Sequence, residues 1–130
     1  MIEELVAFMK ENSPNYISTV EGDVPHVRPM GFIMEYQGKL TFATSAGNGT
    51  SAQLAANPNI EVATTAKTRD KALRIWGKAV VIADLEEKIA IVADQPGLQK
   101  FPGPEAITIF SIDKPQATWW SYTGVEKIDL

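Results

Sequence analysis

HVRPMGFIMEY, His26 to Tyr36, is the segment whose reading decides the fold. Valine, methionine, phenylalanine and isoleucine give it the composition of a β-strand, yet Arg28 and Pro29 stand side by side within it. A buried central strand tolerates neither a guanidinium nor a residue without a backbone N–H. The pair therefore places this strand beside an edge or an opening. Alternation puts His26, Arg28, Met30 and Phe32 on one face, and Val27, Pro29, Gly31 and Ile33 on the other. Before it, YISTVEG (16–22) reads as a strand, joined through a turn at Gly22-Asp23-Val24-Pro25. After it, KLTFAT (39–44) follows the tight turn Gln37-Gly38. The three predict an antiparallel meander that brings Arg28 close to Thr44.

Further outward the pattern repeats with small insertions. IEELVAFMKEN (2–12) sets Ile2, Leu5, Val6 and Met9 on one helical face. SAGNGTS (45–51) is small and polar and leads into a short helix, AQLAAN (52–57), stopped at Asn57-Pro58. NIEVATTAK (59–67) and LRIWGKAVVIAD (73–84) read as strands, the second bent or bulged at Gly77. Leu85 to Asp94 is helical, with Leu85, Ile89 and Val92 on one side and Ile91 off that stripe. A Pro/Gly-rich loop from Gln95 to Pro104 separates it from AITIFSID (106–113), and ATWWSYTG (117–124) closes the sheet. Six or seven strands, mostly in hairpins with short helices at three points, predict an antiparallel barrel or strongly curled sheet. A βαβ nucleotide-binding unit is disfavoured, because no glycine fingerprint stands between a strand and a helix.

With 130 residues the chain is expected to form one domain, 1–130, and its 45% hydrophobic and 22% charged content is that of a globular protein. Sixteen acids against 12 bases argue against nucleic acid as a main partner. There is no cysteine and one histidine, which removes thiolate chemistry, disulfides and multi-histidine metal sites. No apolar run reaches the roughly 18 residues of a membrane span, and no signal-like segment opens the chain. The expectation is a cytoplasmic protein with no membrane partner.

Several positions admit two readings. Arg28 is either an anion-binding fork at the mouth of a pocket or, with Pro29, a guard on an edge strand. Thr44, Ser45, Thr50 and Ser51, interleaved with Gly47 and Gly49 before a helix, are either a phosphate nest or a flexible loop with a hydroxyl N-cap. Trp119 and Trp120 point to opposite faces, so one fills the core while the other covers a flat ligand or an oligomer contact. KTRDKALR, the basic cluster at 67–74, is a solvated hairpin tip or an anion site. His26 is an acid/base group or a surface residue.

Taken in order, VRPMGF after a GDxPHV-like turn, GKLTFAT, the small polar loop, QLAANPNIEV and RIWGKAVV resemble the FMN-binding split barrels related to pyridoxamine 5′-phosphate oxidase. The resemblance spans nearly the whole chain. It implies a mainly β fold with short helices, a six- to seven-stranded antiparallel split β-barrel. It also implies a homodimer with FMN in the groove between two barrels, moving electrons or hydride to or from a small organic substrate. A barrel this small, filled by side chains, leaves little room for a flavin inside, so a second subunit supplies the missing wall. Carried over by residue, Arg28, Pro29 and Met30 would line the flavin, with Arg28 reaching phosphate or ribityl. Thr44 and Ser45 would contact phosphate or ring edge; Thr50, Ser51 and Gln53 would complete the phosphate site. Trp119 or Trp120 would approach from the other subunit.

The chain departs from that pattern at one loop. Many relatives hold a phosphate-binding lysine where this sequence reads GNGTSAQ, and Thr50 or Ser51 stands in its place. A hydroxyl loses the charge-assisted bond, which is about twice as strong as a neutral one. It also lacks the Arg-rich C-terminal segment of true pyridoxamine phosphate oxidases, so that activity is not implied. Other readings are a non-catalytic FMN binder acting as electron carrier or redox sensor, a relative using a deazaflavin, and a cofactor-free barrel acting through protein contacts. Haem ranks lowest, because a second histidine is missing.

Overall fold

In the computed structural model, which describes residues 1–130, the segment His26–Tyr36 is two strands. It breaks at Gly31 into β2 (Val24–Met30) and β3 (Phe32–Tyr36). β1 (Asn15–Glu21) pairs with β2 over its whole length, and β4 (Lys39–Ser45) pairs with β3. The remaining strands are β5 (Asn59–Thr65), β6 (Lys71–Val81), β7 (Ile107–Ser121) and β8 (Gly124–Ile128). Their order in the sheet is β2-β1-β5-β6-β7-β4-β3, with β8 paired to β7. All pairings are antiparallel. The fold is thus a curled antiparallel sheet with three short α-helices, α1 (Ile2–Glu11), α2 (Thr50–Ala56) and α3 (Leu85–Asp94), a half-barrel of the split-barrel type.

The expected three-strand meander is corrected by this order. β2 and β3 follow one another in the chain but occupy opposite ends of the sheet. Only Gly31 joins them, so the ends of the sheet meet through a covalent bend and not through a hydrogen-bonded ladder. The bend also resets the alternation. Met30 and Ile33, three residues apart, both enter the main core, whereas Phe32 and Tyr36 pack with Met34 outside the barrel. The shared face expected to run from His26 to Phe32 therefore ends at Met30.

Eighteen buried residues form the inner core, among them Leu5 and Met9 of α1, Ile17, Phe42, Ile75 and Phe110. The amphipathic α1 seals the barrel with the face the sequence gives it. Phe42 and Phe110, directly opposite on β4 and β7, stack with centroids 5.6 Å apart. A second cluster of six, Met34, Ala43, Ile91, Leu98, Ile107 and Ile109, lies on the outer face of β3, β4 and β7. α3 covers it with a different side from the one expected: Leu85 and Ile89 are 53% and 49% exposed, while Ile91 is buried. The cause lies in its first turn. Asp84 caps the helix by accepting from the Glu87 N–H at 3.0 Å, and the Tyr36 hydroxyl donates to the Glu87 carboxylate at 2.7 Å. Glu87 and Ile91 are one turn apart, so drawing Glu87 toward β3 turns Ile91 onto the sheet. No helix is long and apolar enough to cross a membrane.

Two expected outcomes follow from this packing. A Cβ at Gly77, where β6 shifts register, would stand 2.7 Å from Ile112 Cγ2 and 3.0 Å from the Asp113 carbonyl oxygen. Gly77→Ala should lower unfolding free energy by about 1–3 kcal/mol. A Cβ at Gly31 meets nothing within 4 Å, and its φ needs no glycine, so Gly31→Ala should stay within about 0.5 kcal/mol. Urea midpoints at unchanged m-value check both. Second, the Glu87 carboxylate beside the Tyr36 hydroxyl raises that phenol above tyrosine's ordinary 10.0. A raised value means the contact is intact at neutral pH and is lost as pH climbs past 10.0 through the folded-state value. Ultraviolet titration should show one late phenol that disappears in Tyr36→Phe; a late phenol persisting in that variant would contradict the assignment.

Candidate functional site

A groove of about 370 Å³ lies at the split itself. Pro29, Met30, Gly31 and Phe32 form one side, Ala43, Thr44 and Ser45 another, and Gly97, Lys100 and Phe101 the third. The chain crosses here from one end of the sheet to the other, and no strand pairs with the free side of β3, whose Phe32 stands opposite Ala43 of β4. Pro29 is tolerated because β2 is an edge strand and no neighbour claims its missing N–H. Gly31 keeps the floor bare, since a Cβ there would project into open space. The third side comes from the turn Pro96–Leu98 and the residues after it, fixed by Leu98 in the outer cluster. Gly97 lies close against Phe32: a Cβ there would touch the ring at 3.4 Å.

Four residues expected from the sequence, Pro29, Met30, Thr44 and Ser45, line this groove together. Arg28 does not. Its side chain turns toward β1 and α2, where Nη1 donates to Thr19 Oγ1 at 2.9 Å and Nη2 to Gln53 Oε1 at 2.7 Å. The fully buried Thr19 hydroxyl donates to the same Gln53 oxygen, closing a three-membered network. Arg28 and Gln53 are thus brought together, as partners of each other. A guanidinium has five N–H donors, so the network uses only part of its capacity.

The polar loop is more ordered than its composition suggests. Asn48 Nδ2 donates to Thr44 Oγ1 at 2.9 Å, and Asn48 Oδ1 accepts from the Thr50 N–H at 3.1 Å. Gly49 between them has φ 85°, the left-handed conformation glycine adopts without strain. Ser51 shares a 2.6 Å hydroxyl contact with Thr108 of β7. Thr50 is fully buried, yet its hydroxyl has no partner. A buried hydroxyl without a bond is costly, which marks this point, one turn before Gln53 on α2, as one where a polar group would be stabilised.

Trp119 and Trp120 lie at the far end of β7 from Thr108, beside β8, and do not approach the groove of their own chain. They point to opposite faces, as expected. Trp119 packs edge-on against Phe8, with Lys71 Nζ 3.8 Å from its ring centroid; Trp120 meets Tyr122. The basic tip is partly consumed by that contact and by the Arg74–Glu61 ion pair, which holds the guanidinium's pKa above its ordinary value. His26 pairs with Glu21 across the β1–β2 hairpin at 3.2 Å. Sequence reasoning missed the third wall, Gly97, Lys100 and Phe101, because nothing local in a Pro/Gly-rich loop says which surface it will fold onto.

The family model described as pyridoxamine 5′-phosphate oxidase matches residues 1–122. Among solved structures, a NimC/NimA family protein from Clostridium acetobutylicum is 26% identical, with TM-score 0.86, covering 99% of this chain and 92% of that one. General stress protein 26 from Bacillus anthracis is 21% identical at TM-score 0.70, covering 99% and 98%. PhzG from Burkholderia lata, solved with tetrahydrophenazine-1-carboxylic acid, is 10% identical at TM-score 0.72, covering 99% and 89%. No curated protein matches the sequence.

The network around Arg28 has a measurable signature. In a double-mutant cycle, Arg28→Ala and Gln53→Ala should be non-additive in unfolding free energy by about 0.5–3 kcal/mol. Additive losses would show that the two side chains do not hold each other in solution.

Proposed function

The chain belongs to the pyridoxamine 5′-phosphate oxidase family, and on that premise we propose that it is an FMN-binding oxidoreductase acting on a small organic substrate. The observation that carries this reading is the groove at the split: about 370 Å³, bare at Gly31, edged by two phenylalanines and two hydroxyls, and partly open. Such a slot suits a planar ring system with polar edges. Thr44 and Ser45 would offer hydrogen bonds to the ring edge or the adjoining chain. The unpartnered Thr50 hydroxyl, with Ser51, Gln53 and the unused donors of Arg28, would receive the phosphate. Bound flavin supplies hydride or electron transfer, and the protein's part is to bind, orient and exclude water.

We assign the missing wall to a second copy of the chain. The outer face of β1 and β2 beside the groove is apolar and exposed, with Val27 at 69%, Tyr16 at 49% and Pro29 cross-strand from Tyr16. A second copy covering this strip would also close the groove, because Pro29 belongs to both. Trp120 or Trp119 of that copy would then be available to the flavin. A cytoplasmic location accords with this chemistry.

A second reading, a flavin carrier or redox sensor without turnover, is favoured by one feature: no carboxylate or histidine lines the groove. Consumption of reduced nicotinamide with a quinone acceptor separates the two. For either reading the purified protein should be yellow, quench FMN fluorescence and elute as a dimer. Gly31→Val, filling the floor, should weaken FMN by about tenfold or more, the equivalent of 1.4 kcal/mol, while the fold persists. A wild-type protein that neither retains nor quenches FMN overturns the flavin reading.

A further inference from the structure

Lys100 is the one ionisable side chain lining the groove. Its position is fixed on both sides. Leu98, 1% exposed, anchors in the outer cluster, and Gln99 Nε2 donates to the Val92 and Ala93 carbonyls at 3.1 and 3.3 Å, closing the end of α3. Phe101 packs against the same outer cluster and contributes a ring to the groove. Between these anchors Lys100 is exposed and enters no ion pair, and the other residues lining the groove are all uncharged. An ammonium in that setting, beside two phenylalanine rings and with no carboxylate to neutralise it, favours a flat molecule bearing a negative charge.

We propose that Lys100 makes the groove selective for a planar organic anion, an aromatic or conjugated carboxylate that reacts as the second substrate. Its ring lies against the bound flavin on the open side of the groove, and its carboxylate pairs with Nζ of Lys100. The proposal rests on the flavin reading above, in that the anion is the partner of a flavin bound in the same groove. Arg28 does not compete for this charge, because its guanidinium is turned away toward Thr19 and Gln53.

The test uses the purified protein with FMN and two matched probes, benzoate and its neutral isostere benzamide, titrated by ligand-observed NMR. Wild-type protein should prefer benzoate by roughly threefold to tenfold at low salt, the preference shrinking as ionic strength rises. Lys100→Ala should bring the ratio to about one, Lys100→Arg should keep it and Lys100→Glu should invert it, at an unchanged melting temperature. Equal affinity of wild-type protein for both probes, or a preference that survives in Lys100→Ala, overturns the proposal. So does a Lys100→Ala protein that loses FMN but keeps riboflavin, since Lys100 would then be reading the flavin phosphate. Failure of wild-type protein to take up FMN at all overturns the flavin reading; the benzoate-to-benzamide ratio, measured on the flavin-free chain, still decides the role of Lys100.

Discussion

One continuous segment, bent at Gly31, supplies the two end strands of the sheet order, and the rest of the molecule follows from that constraint. β2 and β3 are consecutive, separated by Gly31 alone, yet they stand at opposite ends of the strand order. A sheet whose two end strands belong to one bent segment must curl until they meet, and they meet through the chain instead of through a ladder. The usual hazard of exposed edges is reduced in two ways. β2 carries Pro29 and Arg28, and β3 is covered on its outer face by α3 and the turn after it. The gap that remains is the groove.

The two clusters divide the work that this arrangement requires. The inner core, closed by α1, makes the barrel. The outer cluster adds little to the barrel itself; it fixes the segment from Gly97 to Phe101 against β3 and β4. Its geometry depends on a polar clasp at its margin, the Tyr36–Glu87 hydrogen bond with the Asp84 cap beside it. That clasp turns Ile91 inward, Ile91 and Leu98 share the cluster, and Leu98 holds the third wall of the groove. A chain of contacts on the outside of the sheet thus shapes a site at its edge.

Most of the fold was legible in the sequence because turns and helix stops are local. Gly22-Asp23, Gln37-Gly38, Asn57-Pro58 and the bulge at Gly77 each fall where the residues place them. The break at Gly31 was not legible, since apolar residues continue on both sides and the period is simply offset by one. Register shifts of one residue reverse which face is buried, and only the partner strands reveal them. The packed face of α3 is not legible for a related reason. It carries two apolar stripes, one through Leu85 and Ile89 and one through Ile91, and hydrophobic spacing cannot choose between them. A tyrosine fifty-one positions away in sequence from Glu87 makes the choice. Pro29, Met30, Thr44 and Ser45 could be gathered from strand order and resemblance; Lys100 could not, because its place is set by that tertiary clasp.

The two cations nearest the split differ in what their surroundings let them do. Arg28 is half-buried and already divided between two oxygens that also bond each other, so its orientation is set before any ligand arrives. Preorganised donors lose little entropy on binding, but they serve only a group that fits the fixed fork. Lys100 is the opposite: a flexible stem on a fixed backbone, free of partners, at the rim of a slot with aromatic walls. Such a charge is strongly hydrated when the slot is open and interacts more strongly once a ring and a second wall exclude water. The polar loop SAGNGTS carries no lysine, yet the split is not without positive charge. The loop's uncharged side chains include the buried, unpartnered Thr50 hydroxyl, and the uncommitted positive charge of the groove stands on the third wall, at Lys100.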